Sequence, residues 1–371
     1  MRFVFAITRL TTNGPSFSRV RLAQGLRRRG HDVTILTMVR HAEIDVPTDV
    51  DVATVDRPVE KYPHGAFGRF LLARSIRRWI RQQAQIGPID FFSSSLTGTD
   101  RLVAMAGVEN ARYWIHIATT QLLGDSSRPG RMRRRRKLYV DLYDRQRVIG
   151  VSQGVIDDLA DLGARPAEAR LLYNAYDIDT IRQRAEQTEP DVPAEPFLLF
   201  AGRFASAKRL DVLFQAVRAL DRPIRLLLLT EDTPALRELI DEHGLTGQVT
   251  VLGYRQNPYP FMRAAAALVL SSDREGFPNV LVEALICGTP AISTDCRSGP
   301  AEILTGRYRR YLSPPGDAPA LSRNIADILA EPYPIEAWLY ERFTLDHALD
   351  ELEAMASTGS GPRLGRMRLW S

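Results

Sequence analysis

Short apolar runs that do not alternate, each followed within a few residues by a helical pattern, constrain this chain most. Phe197-Leu198-Leu199-Phe200-Ala201, Arg225 to Leu229 and Ala264 to Leu270 place apolar side chains on both faces of any strand they form. A strand buried on both faces belongs in a parallel sheet covered by helices, not in a half-exposed hairpin. The N-terminus repeats the scheme. Residues 2–7 read as a buried strand, Phe17 to Arg29 as a basic amphipathic helix that Gly30 ends, and His31 to Thr37 as a second strand. That is a βαβ unit, and its recurrence predicts α/β domains with doubly wound parallel sheets. Further strands are expected near Val52 to Val55, Asp90 to Ser93, Arg112 to Ile115, Arg147 to Val151 and Val249 to Leu252.

A chain of 371 residues is too long for one ordinary compact domain and suits two. The Pro-rich segment Glu189-Pro190-Asp191-Val192-Pro193-Ala194-Glu195-Pro196 reads as the linker, giving domains at 1–190 and 191–335. Residues 357–371 lack an apolar period until Leu369-Trp370 and are expected to be loosely ordered. The opening Met1 to Ile7 is too short for a signal peptide and no 18-residue apolar run exists, so a cytoplasmic location is expected. Cys287 and Cys296 have no neighbouring His or Cys cluster, which argues for reduced thiols over a metal site or a disulfide framework. Charge is shared unevenly. Residues 1–190 hold 30 Lys+Arg against 21 Asp+Glu, and residues 191–371 hold 19 against 23. A basic half suggests an anionic ligand or surface, either nucleic acid or membrane on this ground alone.

The chemistry concentrates after the run Ala264 to Leu270. There Ser271-Ser272-Asp273-Arg274-Glu275-Gly276-Phe277-Pro278-Asn279-Val280-Leu281-Val282-Glu283 reads as strand, tight loop and helix. Pro278 suits the first helical position, and the free N–H groups beyond it can hold an anion. Glu283 lies one turn beyond Asn279 on the same face. Such a turn can seat a phosphate at its mouth, with one carboxylate before the helix and one inside it for sugar hydroxyls. Alone, two Glu at this spacing are most often solvated helix-end charges. The surroundings alter that reading: Gly288-Thr289-Pro290, the apolar Ala291 to Thr294, and Asp295-Cys296-Arg297-Ser298-Gly299-Pro300-Ala301-Glu302 follow in order.

This succession resembles the C-terminal donor site of family 4 retaining glycosyltransferases, and Glu-Gly-Phe-Pro-Asn-Val-Leu is similar to the branch that builds lipid-linked oligosaccharides and surface polysaccharides in bacteria. The resemblance implies the GT-B fold, two Rossmann-like domains facing a cleft, with a final helix at 336–356 crossing back to the first. It implies that Arg203 and Lys208, in Gly202-Arg203-Phe204-Ala205-Ser206-Ala207-Lys208, neutralise the donor diphosphate in place of a metal. Glu275 would contact the donor sugar and Glu283 the ribose. Gly276, Phe277, Asn279 and Val280 would offer main-chain N–H groups, and Tyr254 would lie against the base. Where relatives carry a Gly-x-Gly turn this chain has Thr230-Glu231-Asp232, which leaves the base open. The resemblance places His116 near the reacting sugar, and Gly14 at the first helix where relatives have a Gly-Gly pair. Ser152 to Val155 and Tyr173 to Asp177 match its architectural segments.

Two basic segments bear on the partner. Phe67 to Arg81 offers Phe70, Leu72, Ile76, Trp79 and Ile80 as an apolar face with arginines around it, suited to anionic headgroups or to an ordinary packed helix. Arg131-Met132-Arg133-Arg134-Arg135-Arg136-Lys137 is denser, and without interleaved aromatics it does not look like a single-strand nucleic-acid site. The sequence therefore predicts a peripheral protein on the inner face of the cytoplasmic membrane that moves a hexose or N-acetylhexosamine from a nucleotide-sugar, UDP-linked, to a lipid-diphosphate-linked glycan or polysaccharide precursor, without metal or nucleic acid. A soluble acceptor, or a non-catalytic scaffold subunit, is the alternative.

Overall fold

The structure, a computed structural model, describes residues 1–11, 14–39, 42–56, 62, 65–123, 128–359 and 361–367. The chain forms two compact units, one of residues 1–175 with 345–371 and one of residues 176–344. The first contains β1 (Arg2–Ile7), α1 (Gly14–Arg28), β2 (Asp32–Thr37), β3 (Asp51–Thr54), α2 (Ala66–Ile86), β4 (Phe91–Ser95), α3 (Thr97–Met105), β5 (Val108–Glu109), β6 (Arg112–Ile115), α4 (Pro129–Tyr143), β7 (Arg147–Gly150), α5 (Gln153–Leu162) and β8 (Glu168–Leu171). Among the described residues its main sheet has seven strands in the order β3-β2-β1-β4-β6-β7-β8, every pair parallel.

The second unit runs α6 (Ile178–Ala185), β9 (Phe197–Ala201), α7 (Leu210–Arg218), β10 (Arg225–Leu229), α8 (Pro234–Glu242), β11 (Val249–Val251), α9 (Tyr259–Ala264), β12 (Ala267–Leu270), α10 (Asn279–Ile286), β13 (Ala291–Thr294), α11 (Pro300–Ile303), β14 (Leu312–Ser313), α12 (Ala318–Ala330) and α13 (Trp338–Glu341). Its six described strands are parallel in the order β11-β10-β9-β12-β13-β14. β9 and β12 are buried along their whole length, as their unbroken apolar composition requires. In each sheet the strand order turns back once, between β1 and β4 and between β9 and β12. In open α/β sheets that switch point, at the carboxyl ends of the strands, is where ligands bind.

Several expectations need correction. The division falls at 175/176, before the Pro-rich segment. Tyr176 donates its N–H to Phe343 O at 2.8 Å, and Asn257 Nδ2 donates to Arg184 O at 2.9 Å, so these residues pack within the second unit. Asp191 of the supposed linker pairs with Arg255 at 2.5 Å. The last helix returns to the first unit, where it packs on α1, but its bounds are Leu345–Thr358 (α14) and residues 336–344 stay with the second unit. A Cβ added at Gly25 would sit 2.8 Å from Leu349 Cδ1, and Arg29 binds Asp346, Asp350 and Glu353 at 2.9, 2.6 and 3.3 Å. The described part of the tail is docked: β15 (Arg363–Leu364) pairs antiparallel with β5, and Arg77 Nη1 donates to Gly365 O at 2.6 Å. Leu369 and Trp370 lie outside the described residues.

α2 also differs from its headgroup-facing reading. Leu72, Ile76, Trp79 and Ile80 are buried in the first unit's core, because the wide apolar stripe is spent on packing. Left outside are Phe67, 75% exposed, Leu71, and arginines 74, 78 and 81.

Candidate functional site

The loops that leave β9 and β12 meet at the switch point of the second sheet. Lys208, in a short 3₁₀ turn after β9, and Glu275, in the loop after β12, join at 2.6 Å between Nζ and Oε1. Ser272 Oγ donates to the same oxygen at 2.6 Å. The backbone holds the two loops in this register: Asp273 N–H donates to Ala207 O at 2.9 Å and Ser271 Oγ to Lys208 O at 2.8 Å. Thr294, at the end of β13, adds a bond from Oγ1 to Ser272 O at 2.5 Å. Glu275 is 11% exposed and Lys208 21%, and this burial lowers the local dielectric and strengthens the charge pair relative to open water. Arg203 is exposed and has no ion pair or side-chain hydrogen bond among the described residues.

Helix α10 starts at Asn279, with Pro278 as its N-cap in extended conformation (φ −77°, ψ 92°), not as the first helical residue. The approach of another loop explains this: a Cβ added at Gly299 would lie 2.4 Å from Pro278 Cδ and 3.1 Å from Phe277 Cα, and Gly299 itself has φ +96°. Gly276 and Phe277 are buried, with the Phe277 ring edge-on to Phe343 at 5.2 Å. Asn279 Oδ1 accepts from Tyr176 OH at 2.6 Å, so its side chain anchors the helix start and its main chain faces the loop. Val280, next to it on the first turn, and Glu283, one turn on, are partly exposed. The structure thus brings Lys208, Glu275, Gly276, Phe277, Asn279 and Glu283 onto one strand-loop-helix crossing. Tyr254 stands on a separate turn after Gly253 (φ +77°) and is 65% exposed. The cysteines are free, and burial pushes both thiols up to about 12.

His116 and Gly14 lie in the first unit, at the carboxyl ends of its strands. His116 follows β6, its Nε2 3.4 Å from Ser95 Oγ at the end of β4, and its ring stacks parallel to Trp114 at 6.2 Å. Burial, and secondly the charge of Arg19, hold His116 well below the ordinary imidazole range, so it is neutral at pH 7. Gly14 is the first residue of α1. Arg19, one turn further, is wholly buried with its guanidinium 3.3 Å from the Trp114 ring, and its Nε and Nη1 have no hydrogen-bond partner among the described residues. Below them Asp100 accepts from Ser94 Oγ at 2.6 Å and Tyr143 OH at 2.9 Å, and burial pushes its carboxyl up to about 7.

Two family models cover this chain between them: that of Glycosyltransferase Family 4 matches residues 13–180, and that of Glycosyl transferases group 1 matches residues 181–343. The chain belongs to the glycosyltransferases of these families. Among curated relatives, an N-acetylgalactosamine-N,N'-diacetylbacillosaminyl-diphospho-undecaprenol 4-alpha-N-acetylgalactosaminyltransferase from Campylobacter jejuni is 34% identical over 155 residues, 41% of this chain and 42% of that protein. The lipopolysaccharide core biosynthesis glycosyltransferase LpsE from Rhizobium meliloti is 29% identical over 48% of this chain and 52% of that one. The chain thus spans about half the length of the curated relatives it matches. Anabaena HepE in complex with UDP-glucose superposes with a TM-score of 0.76 over 97% of this chain and 100% of that one, at 19% identity. That likeness gives the fold, GT-B.

In this glycosyltransferase, sequence reasoning missed Ser272, Arg209, Arg19 and Asp100. Ser272 was legible as part of the motif, but its bond to Glu275 depends on how the loop turns. Arg19 and Asp100 look like ordinary helical charges, and nothing local marks them as buried. Among the described residues no three His, Cys, Asp or Glu side chains cluster with metal-ligand geometry, and no helix is long and apolar enough to cross a membrane.

Proposed function

We propose that this protein is a retaining glycosyltransferase that moves a hexose or N-acetylhexosamine from a UDP-sugar to a lipid-linked glycan or surface-polysaccharide precursor. The observation that carries the reading is the Lys208–Glu275 pair, 2.6 Å long at the switch point of the second sheet, beside the N-terminus of α10 and the uncommitted Arg203. A departing diphosphate gains negative charge as the bond from the sugar's anomeric carbon to its phosphate oxygen breaks. Lys208, Arg203 and the first N–H groups of α10 oppose that charge more strongly in the transition state than before it, which is what accelerates the step. The acceptor hydroxyl attacks from the face the phosphate leaves, its proton passes to a phosphate oxygen, and the anomeric configuration is kept. Glu275 then orients the sugar, and Glu283, one turn into α10, takes the ribose hydroxyls. With two side-chain cations and a helix terminus available, the charge is met without a divalent ion.

Two similar proteins support the donor and acceptor classes: Anabaena HepE is in complex with UDP-glucose, and the Campylobacter jejuni relative is named for a diphospho-undecaprenol acceptor. Because burial and Arg19 hold its pKa well below the ordinary range, His116 would be a weak base, which suits a hydrogen-bonding role toward substrate better than a proton-abstracting one.

The test is thermal shift with UDP, GDP, ADP and CMP, then with UDP-sugars, since a ligand at a hundred times its Kd adds about 2.7 kcal/mol of apparent stability. Stabilisation by UDP alone, lost in Arg203→Ala and Lys208→Ala and unaffected by EDTA, is the expected result. A protein that responds to no nucleotide would sink the donor assignment and favour a scaffold role. The anomeric configuration of the product, read by NMR, decides retention.

A further inference from the structure

Arg209 follows Lys208 and is one of the few non-glycine residues with positive φ, at φ 48° and ψ 51°. It ends the 3₁₀ turn that carries Lys208, and its carbonyl accepts the N–H of Val212 at 3.0 Å to begin α7. A side chain in this left-handed region is strained, and glycine is the residue that takes it freely. What the side chain gains is visible in its contacts. Nε and Nη2 form a fork on Asp211 at 2.9 and 2.8 Å, while Nη1 reaches Asp273, 64 residues away in sequence, at 3.2 and 3.0 Å. Asp273 stands two residues before Glu275, and its N–H already holds Ala207 O. The guanidinium therefore spans the loop that carries Lys208 and the loop that carries Glu275.

We propose that Arg209 is a positioning residue whose bond to Asp273 latches these two loops, keeping Lys208 and Glu275 in register when substrate draws them apart. Without substrate the two loops are also joined through Lys208 and Glu275 themselves. That contact is the one a diphosphate and a sugar would compete for, so the geometry is kept by the links no ligand contests: the Asp273–Ala207 and Ser271–Lys208 bonds, and the Arg209 bridge as the one ionic link among them. The fork on Asp211 fixes the guanidinium plane and lets Nη1 meet Asp273 without searching rotamers. A half-exposed ion pair adds little to global stability, and five hydrogen bonds from one planar group serve geometry better than they serve melting temperature. The carboxylates of Asp211 and then Asp273 raise the basicity of Arg209, and Arg209 holds the Asp211 carboxyl below the usual range, so the Arg209–Asp211 fork stays charged through the neutral range.

The inference rests on the reading of Lys208 and Glu275 as the donor site, and the experiment separates the two. Arg209→Gly removes the side chain while relaxing the backbone, and Asp273→Asn removes the acceptor while leaving the Asp211 fork in place. In the ligand-free full-length protein, amide exchange at Asp273 should quicken at least tenfold in both variants. In turnover, kcat should fall about tenfold in each, with the Kd for UDP changing less than threefold. The double variant should be no slower than either single one, because both remove the same contact. Unchanged exchange at Asp273 overturns the latch whatever the substrate proves to be. So does a kcat equal to wild type with only a lowered melting temperature, or single effects that multiply in the double variant. If wild type itself neither binds UDP nor turns over, the donor reading fails and the exchange result alone judges the latch.

Discussion

Asp100 shows what a single buried carboxyl contributes at the residue scale. Fully buried between α3, β4 and the end of α4, with hydroxyls of Ser94 and Tyr143 as partners, it holds its proton up to about pH 7, whereas an unfolded Asp releases it near about 4. Between those values the folded chain binds the extra proton, so stability falls as pH rises through that window and levels off above about 7, at about 1.4 kcal/mol per pH unit. His116 acts in the opposite sense. Its folded pKa is depressed, so the unfolded chain takes up the proton first and stability is lost as pH falls below about 6.5. Asp100→Asn, neutral at every pH, isolates the first effect. Melting temperatures measured from pH 4.5 to 8.5 should show the variant gaining on wild type as pH rises, then running parallel above pH 7. Parallel curves throughout would mean that Asp100 is ionised in the fold.

Among the elements, the turn from β12 into α10 depends on a glycine from another loop. Gly299 has φ +96° and passes against Phe277 and Pro278, so an alanine there adds left-handed strain, a clash with the Pro278 ring and crowding against the backbone of Phe277. Gly299→Ala should cost about 1–3 kcal/mol and weaken the stabilisation by UDP; melting curves with and without UDP check both, and an unchanged UDP response would detach this turn from donor binding. The case also marks what a sequence can tell. Phe197 to Ala201 and Arg225 to Leu229 coincide with β9 and β10 because uninterrupted apolar residues leave a strand nowhere to go but the middle of a sheet. Ala264 to Ala266 were read into β12 but end α9 and the link after it, since alanine suits helix and strand burial alike. Two-residue strands such as β14 and β15 carry no period, and only pairing with a distant partner defines them. The same distance effect hid Arg209: Lys208 and Glu275 stand in local patterns, whereas the Arg209–Asp273 contact exists only once β9 and β12 are neighbours.

On the scale of the whole molecule, charge follows the structural units more sharply than it follows the halves of the sequence. The first unit carries 31 Lys+Arg against 21 Asp+Glu, and the second 18 against 23. α4 exposes Arg131, Arg133 and Arg134 within about one turn near its start, and the start of α2 exposes Phe67 and Leu71 ahead of Arg74 and Arg78. These exposed groups, not the buried stripe of α2, are what an anionic bilayer would meet, with the two apolar side chains entering the headgroup layer. A lysine or arginine near such a surface contributes about 1 kcal/mol, and salt reduces it as the screening length shortens from about 10 Å at 0.1 M to about 3 Å at 1 M. The full-length protein should therefore sediment with vesicles containing anionic lipid at low salt and be released at 1 M. Replacing Arg131, Arg133 and Arg134 with Gln should weaken partitioning on the order of a hundredfold while leaving the melting temperature and the UDP response in place. Equal binding to uncharged vesicles, or a triple variant that partitions like wild type, would move the membrane contact away from α4 and leave the first unit's charge to a soluble anionic acceptor.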